Sequence, residues 1–484
     1  MTISSTLTSS MSGLTAASRA AELVSSNIAN AMTEGYGRRD LQLGSIVLGG
    51  SGQGVRVTGV TRAVDQALLS DRRIAEAGAG DRDARAAFLS GLEAALGTPE
   101  TEGSLGARIA AFDASLIEAA GRPESQTRLT NVLDSARNLT AHIGAASDQI
   151  QAARTDADNQ IALQVGKLNT TLAKVAEMNT QITAHTGAGR DASALMDQRQ
   201  QLIDQIATIV PLREVNRDHG QIALYTTGGA SLLDGRPATF GFTGVGQVTP
   251  DMTLASGALS GLTLNGRPVT TDSSGLLAGG TLAAHFAVRD ELAPNAQTSL
   301  DAVARDLVER FADPALDATR APGDPGLFTD AGAAFLPTNE IGLAQRMSVN
   351  AAVDPAQGGA VWRLRDGLGA AAPGTSGNSA LLSALQETLV AQRIPVSGGF
   401  LSGTHSFSSL GADMLSGVAS SRLSADAEAS FATARATTLK EQDMQNGVDT
   451  DQELQKLLLI EQAYSANVRV MQTVDDMINT LLGL

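Results

Sequence analysis

No cysteine occurs in the 484 residues, which rules out disulfides, zinc thiolate centres, iron–sulfur ligation and a thiol nucleophile. Aromatic residues make up only 3%, with Trp362 the sole tryptophan, too few for a base-stacking platform or an aromatic-lined sugar cleft. Lysine is confined to Lys167, Lys174, Lys440 and Lys456, none followed by Ser or Thr, so there is no Walker phosphate loop. No Gly-x-Ser-x-Gly elbow is present. No run reaches the roughly 18 apolar residues of a membrane span, and the N-terminus lacks the basic flank and short apolar core of a cleaved secretory signal. Basic charge is also scarce: 35 Lys and Arg against 51 Asp and Glu leave a net charge of -16, which repels nucleic-acid backbones. Neither nucleic acid nor membrane insertion is expected.

What remains is helix. At the start of the chain Ile3, Leu7, Ser10, Leu14, Ala17, Ala21, Val24 and Ile28 recur at steps of four and three; at its end Leu457, Ile460, Tyr464, Asn467, Met471, Val474, Ile478 and Leu481 do the same. This is the 3.5-residue seam of a coiled coil, and stripes at both termini suggest helices that pair with each other and with neighbouring subunits. The candidate assembly interface is therefore Ile3, Leu7, Leu14, Ala21, Val24, Ile28, Leu457, Ile460, Tyr464, Asn467, Met471, Val474, Ile478 and Leu481. An isolated heptad helix is marginal in water, so the ends are expected to stay unfolded until assembly covers them. Thr450 and Glu453 read as a capping box for the last helix, with Asp449 and Asp451 at the positive end of its dipole.

Between the ends the same spacing recurs from Leu129 to Ile182, with a possible stutter near Asp156; a helix of about 50 residues would be a strut of about 75 Å. Gly187 to Gly189 reverses it into a return helix that Pro211 stops. Period-two alternation from Leu41 to Val60 predicts a hairpin, interrupted by the Gly-rich run 49–54. From Arg213 to Gly280 short strands such as 222–225 and 262–264, with an Asn265-Gly266 turn, predict a β-rich insert. Helix returns over 282–311, kinked at Pro294, and 313–377 reads as irregular. The fold class is mainly α with a β-rich insert, in nested domains: 1–34 with 449–484 as a terminal coiled-coil core, 35–212 with 281–448 as an inner long-helix domain, and 213–280 as a small outer β domain.

No catalytic constellation emerges. His142, His185, His219, His285 and His405 lack metal-ligand spacing; the Gly-rich run 49–54 lacks a following dinucleotide helix and reads as a loop tip; Asp313, Asp317, Asp324 and Asp330 lack the terminal Glu of a calcium loop and read as a solvated loop. The chain is expected to be neither enzyme nor cofactor protein. A wall-degrading enzyme or a membrane-inserting translocator would need the aromatic cleft or the apolar span that is missing.

Met11-Ser12-Gly13-Leu14, then Val24-Ser25-Ser26-Asn27-Ile28-Ala29-Asn30 leading into Glu34-Gly35-Tyr36-Gly37-Arg38, resembles the N-terminal signature of bacterial flagellar axial proteins, the rod, hook and hook-associated family. Asn446-Gly447-Val448-Asp449, Tyr464-Ser465-Ala466-Asn467 and Met471-Gln472-Thr473 resemble the C-terminal signature. Leu195-Met196-Asp197-Gln198-Arg199-Gln200-Gln201-Leu202, after the long strut, and Gly54-Val55-Arg56-Val57 followed by Arg62, resemble the hook-associated protein 1 family of hook–filament junction proteins. A hook or rod subunit is the alternative. The resemblance implies a structural flagellar protein, exported by the flagellar type III apparatus without a cleaved signal and sited outside the cell at the hook–filament junction. Its implied partners are further copies of itself in an eleven-protofilament ring, the hook protein, a second junction protein and an export chaperone on the C-terminal helix.

Overall fold

A computed structural model describes residues 3–48, 51–400 and 402–483. In chain order the elements are α1 (Ile3–Ala29), strands β1 (Arg38–Leu48) and β2 (Ser51–Ala63), then α2 (Gln66–Leu96), α3 (Leu105–Gly121), α4 (Gln126–Gly187) and α5 (Ser193–Ala207). A β-rich stretch follows with β3 (Leu212–Asn216), β4 (Ile222–Thr226), β5 (Ser231–Asp234), β6 (Arg236–Pro237), β7 (Phe240–Gly241), β8 (Leu262–Leu264) and β9 (Arg267–Val269). The remainder holds α6 (Thr281–Ala287), α7 (Ala293–Ala312), β10 (Phe328–Asp330), α8 (Leu343–Arg346), β11 (Met347–Val349), α9 (Arg363–Asp366), α10 (Ala380–Val390), α11 (Phe407–Gln445) and α12 (Thr450–Leu482). The fold is mainly α with small antiparallel sheets.

The helices begin where short polar side chains accept otherwise orphaned N–H groups. Asp65 accepts from the Ala67 and Leu68 amides, Ser104 from Ala107, Ser125 from Arg128 and Ser406 from Ser409. Between its caps α4 runs for 62 residues without a break, about 93 Å at 1.5 Å per residue. Its buried stripe serves two separate hydrophobic cores. Residues 129–157 join α2, α3, α7, α10 and α11; residues 161–175 join α5, α6 and the strands β3, β4, β5, β7 and β8. The β-rich stretch thus shares its core with the second half of the strut. The β8–β9 hairpin turns at Asn265 and Gly266, both left-handed at φ 51° and 77°, the geometry that favours Asn-Gly there.

The two cores meet at a buried ionic layer close to the expected stutter. Arg154 donates to the carbonyls of Arg289 (3.0 Å), Thr249 (3.0 Å) and Met252 (2.6 Å). Arg289 pairs with Asp158 at 2.7 Å and Asp290 at 2.9 Å, and lies over the Phe286 and Phe242 rings. Removing one member of such a layer strands its partner, at a cost of about 3–5 kcal/mol.

The sequence places a kink at Pro294, but the interruption precedes it: Val288–Leu292 forms a widened π turn, and Pro294 sits at the start of α7. The wider turn relieves the clash between the proline ring and the preceding turn's carbonyl. The hairpin is longer than its alternation suggests, 38–63, and of the Gly-rich run Gly49 and Gly50 lie outside the described residues. The segment 313–377 carries few regular elements yet is firmly packed: Phe328 meets Phe112 and Phe311 with ring centroids 5.7 and 5.1 Å apart, and Leu327, Leu343, Val353 and Leu364 are buried. Asp317 and Asp330 there are buried rather than solvated, because Asp317 accepts from Thr319 and Leu368 amides and Asp330 pairs with Arg346.

Asp301 on α7 holds this segment in place, accepting from Gly342 (2.8 Å), Ala344 (2.8 Å) and Gln297 (2.9 Å). Burial pushes its carboxyl up to about 6 from 3.8, although those donors oppose the rise. The folded state therefore holds the Asp301 proton more tightly than the unfolded chain, and its contribution to stability falls as pH rises from about 4 to about 6, by up to about 3 kcal/mol. Unfolding free energies of wild type and Asp301→Asn should differ with just this slope across that window, whereas parallel curves would show that Asp301 is ionised throughout.

Candidate assembly interface

The two terminal helices lie against each other. Asn27 on α1 meets Glu453 on α12 at 2.9 Å, and Gly13 faces the Asn467 amide, so α12 advances as α1 retreats and the pair is antiparallel. Of the expected interface, Val24 and Val474 are buried; Leu7, Leu14, Ala21, Ile28, Leu457, Ile460, Asn467, Met471 and Ile478 are half-buried; Ile3, Tyr464 and Leu481 are exposed. The stripe on α1 is thus covered within one chain over most of its length. A Cβ on Gly13 would lie 2.8 Å from the Asn467 side chain, so glycine lets the polar seam residue approach the α1 backbone. On its other flank α1 carries the β1–β2 hairpin: Ser12 accepts the Val55 amide at 3.1 Å while donating to the Ser9 carbonyl at 2.8 Å. Gly54, at φ 103°, has no room for a side chain beside Ser12.

Asn27 is where these elements meet. Its amide nitrogen donates to the Arg39 carbonyl (3.0 Å) and to Glu453 Oε2 (2.9 Å); its oxygen accepts the Arg39 amide (3.0 Å) and the Tyr36 hydroxyl (2.9 Å). All four hydrogen-bonding positions of the buried side chain are filled. Glu453 is buried too and reaches Lys456 at 2.7 Å with its other oxygen. It is therefore not the reciprocal half of a capping box: Asp449 alone caps α12, accepting from the Asp451 and Gln452 amides, because Glu453 has a stronger use in the hub.

A second carboxylate continues the network into the body. Asp197 on α5 accepts from the Gly37 amide (3.1 Å), Arg62 Nε (2.6 Å) and Arg39 (3.0 Å). Arg62 also donates to the Gly35 carbonyl at 3.2 Å and to Gln200, while Gln201 donates to the Glu34 carbonyl at 2.9 Å. Lys440 on α11 pairs with Glu34 at 2.9 Å and holds that carboxyl below the usual range. Motifs from separate stretches of the chain, 24–38, 54–62 and 195–202, with Glu453 beyond them, thus form one polar hub.

Sequence reasoning missed one feature. About 100° around α12 from its seam, Leu459, Ala463, Ala466, Val470 and Met477 form a second stripe, and all five are exposed; Leu454, Leu458 and Leu482 are exposed on other faces of the helix. The uninterrupted run Leu457-Leu458-Leu459 was its signal, since only one of three consecutive residues can sit centrally in a single seam. The described residues hold no group of three or more potential metal-ligating side chains.

Asn27→Ala should leave Glu453, Tyr36 and both Arg39 backbone groups without their partner, destabilising the terminal pair by about 2–4 kcal/mol; Gly13→Ala, which only displaces Asn467, should cost about 1–3 kcal/mol. Hydrogen exchange reads this directly: α12 amides should exchange faster in both variants while α4 amides do not change. Unaltered α12 protection in Asn27→Ala would remove the hub from its assigned role.

Known families match the same regions. The helical domain of the flagellar hook-associated protein FlgK matches residues 89–327, the C-terminal domain of the flagellar basal body rod FlgEFG proteins matches 445–484, and the flagella basal body rod protein domain matches 7–36. Flagellar hook-associated protein 1 of Escherichia coli is 30% identical over 253 residues, covering 49% of this chain and 44% of that protein; its counterpart in Bacillus subtilis is 24% identical over 233 residues, 46% of each. The matched region thus spans about half the length of these curated relatives. The structure of the flagellar hook junction protein FlgK from Burkholderia pseudomallei aligns over 54% of this chain and 47% of that one, with 18% identity and a TM-score of 0.45. The chain is thus similar to flagellar hook-associated protein 1 across its helical body and to flagellar basal body rod proteins at both ends.

Proposed function

We propose that this protein is a structural subunit of the bacterial flagellum at the junction between hook and filament, assembling outside the cell through its terminal helical unit after type III export. The observation that carries the reading is the bare outer stripe of α12, Leu459, Val470 and Met477, on a helix whose adjacent seam is already occupied by α1. A contiguous exposed apolar strip on a folded chain marks an interaction surface, and a contact made by a different face on the next subunit propagates into a ring or helix. The proposed contacts are further copies in an eleven-protofilament ring, hook protein on one side and a second junction protein on the other. An export chaperone would cover the same apolar surface of α12 beforehand. No helix among the described residues is long and apolar enough to cross a membrane, and the relatives are flagellar axial proteins rather than enzymes.

In this reading the expected seam and the outer stripe have different roles. Leu14 and Ile478, from the seam, hold α1 to α12 within a subunit, whereas Val470 and Met477, outside it, meet a neighbour. Val470→Asp or Met477→Asp should leave monomer melting and α12 hydrogen exchange unchanged but abolish swimming, since burying an unpaired carboxylate forfeits about 1.5–3 kcal/mol of apolar contact and adds several more in desolvation at every copy. Leu14→Asp and Ile478→Asp should already release the terminal pair in the monomer. Normal swimming and filament formation by the outer-face variants would overturn this assignment.

A further inference from the structure

The chain contains two Asn-Gly steps, Asn265-Gly266 and Asn446-Gly447, and the fold treats them differently. Asn265 is locked in the β8–β9 turn: its side-chain oxygen accepts the Thr239 amide at 2.9 Å and its own amide donates to the Thr239 carbonyl at 2.8 Å. Asn446 caps the end of α11 with an exposed side chain that makes no hydrogen bond among the described residues. Gly447 offers no Cβ to shield its backbone nitrogen. That nitrogen donates only to the Met444 carbonyl at 3.1 Å, within a last helical turn of the kind that frays.

We propose that Asn446 is a modification site, the position at which this protein spontaneously converts asparagine to aspartate and isoaspartate. The Gly447 backbone nitrogen, on losing its proton, attacks the Asn446 side-chain carbonyl carbon; the new C–N bond closes a five-membered succinimide, and the side-chain nitrogen leaves as ammonia. Water then adds to one of the two imide carbonyls. Opening at the side-chain carbonyl yields aspartate, and opening at the main-chain carbonyl yields isoaspartate, whose chain runs through the former side chain. The balance is one water consumed and one ammonia released, with no oxidation or reduction.

The position gives the conversion a consequence. Residues 446–449 are the whole link between α11 and α12, and Asn446, Gly447 and Val448 border a groove that also contains Glu34, Asp65, Arg72, Lys440 and Asp443. Burial already pushes the Asp443 carboxyl up. A new carboxylate enters a groove whose ion pairs, Lys440 with Glu34 and Arg72 with Asp443, are already formed, and isoaspartate also lengthens the backbone of the link, so converted subunits hold α12 less firmly against the body.

The test is peptide mapping by mass spectrometry, with enzymatic methylation of isoaspartate, on the full chain aged in mildly alkaline buffer with and without urea. In the native protein Asn446 should convert about tenfold faster than Asn265, equivalent to about 1.4 kcal/mol of barrier, the scale of one lost hydrogen bond. In urea the two rates should converge, and Asn446→Gln should show no product at 446. Cleavage at the link by a protease should rise with the isoaspartate fraction and rise less in Asn446→Asp, which adds the charge without the longer backbone. Equal native rates at the two sites, a ratio that survives in urea, or cleavage that ignores the isoaspartate fraction would each overturn the proposal.

Discussion

A single carboxamide, that of Asn27, constrains the arrangement of the terminal helices. With donors and acceptors all engaged, it ties α1 to the chain reversal at Tyr36–Arg39 and to α12 through Glu453. A buried amide tolerates little displacement, because every lost partner leaves a desolvated polar group behind. The heptad contacts beside it are apolar and less particular about register. Asn27 thus fixes how far α12 slides along α1, and the apolar seam supplies adhesion on either side of that point. Asp197 extends the same logic to the body, gathering Gly37, Arg39 and Arg62 on one carboxylate, so that the orientation of the terminal pair is set by charge-assisted bonds rather than by a broad hydrophobic contact.

The long strut follows a related design. Its apolar stripe would allow one continuous core, yet Arg154, Asp158 and Arg289 divide it. Such a layer adds little net stability compared with apolar packing, but misregister is costly because it strands a buried charge. The division also explains why the β-rich stretch, with the second half of the strut, forms a core separate from that of the first half.

Much of the architecture was legible in the sequence wherever it rests on periodicity or local turn chemistry. The spacing of Leu129, Val132, Ala136 and Leu139 announces α4, Asn265-Gly266 announces a hairpin, and Pro211 and Asn446-Gly447 mark helix ends. The misreadings of Glu453, Asp317 and Asp330 share a cause: the sequence assigned each carboxylate a local partner or solvent while the fold supplied a distant one. Glu453 stands where a capping box would place it but reaches Asn27; Asp317 and Asp330 resemble loop surface but are buried by Leu368 and Arg346. The hub was legible as a set of motifs and not as a set of contacts, since no spacing within 24–38 indicates that Asp197 completes it. The outer stripe of α12 was visible in Leu459, Ala463, Ala466 and Val470, but it overlaps the stronger seam and is separated from it only once α1 is seen to occupy that seam.

A double-mutant cycle between Asn27 and Glu453 addresses the hub most directly. Opening free energies of α12, read from hydrogen exchange in wild type, Asn27→Ala, Glu453→Gln and the double variant, give the coupling between the two side chains. The account predicts a coupling of about 1–3 kcal/mol, as expected for a buried hydrogen bond to a carboxylate. Additive effects, with coupling near zero, would mean that α12 is held by its apolar seam alone and that Asn27 does not set the register of the terminal pair.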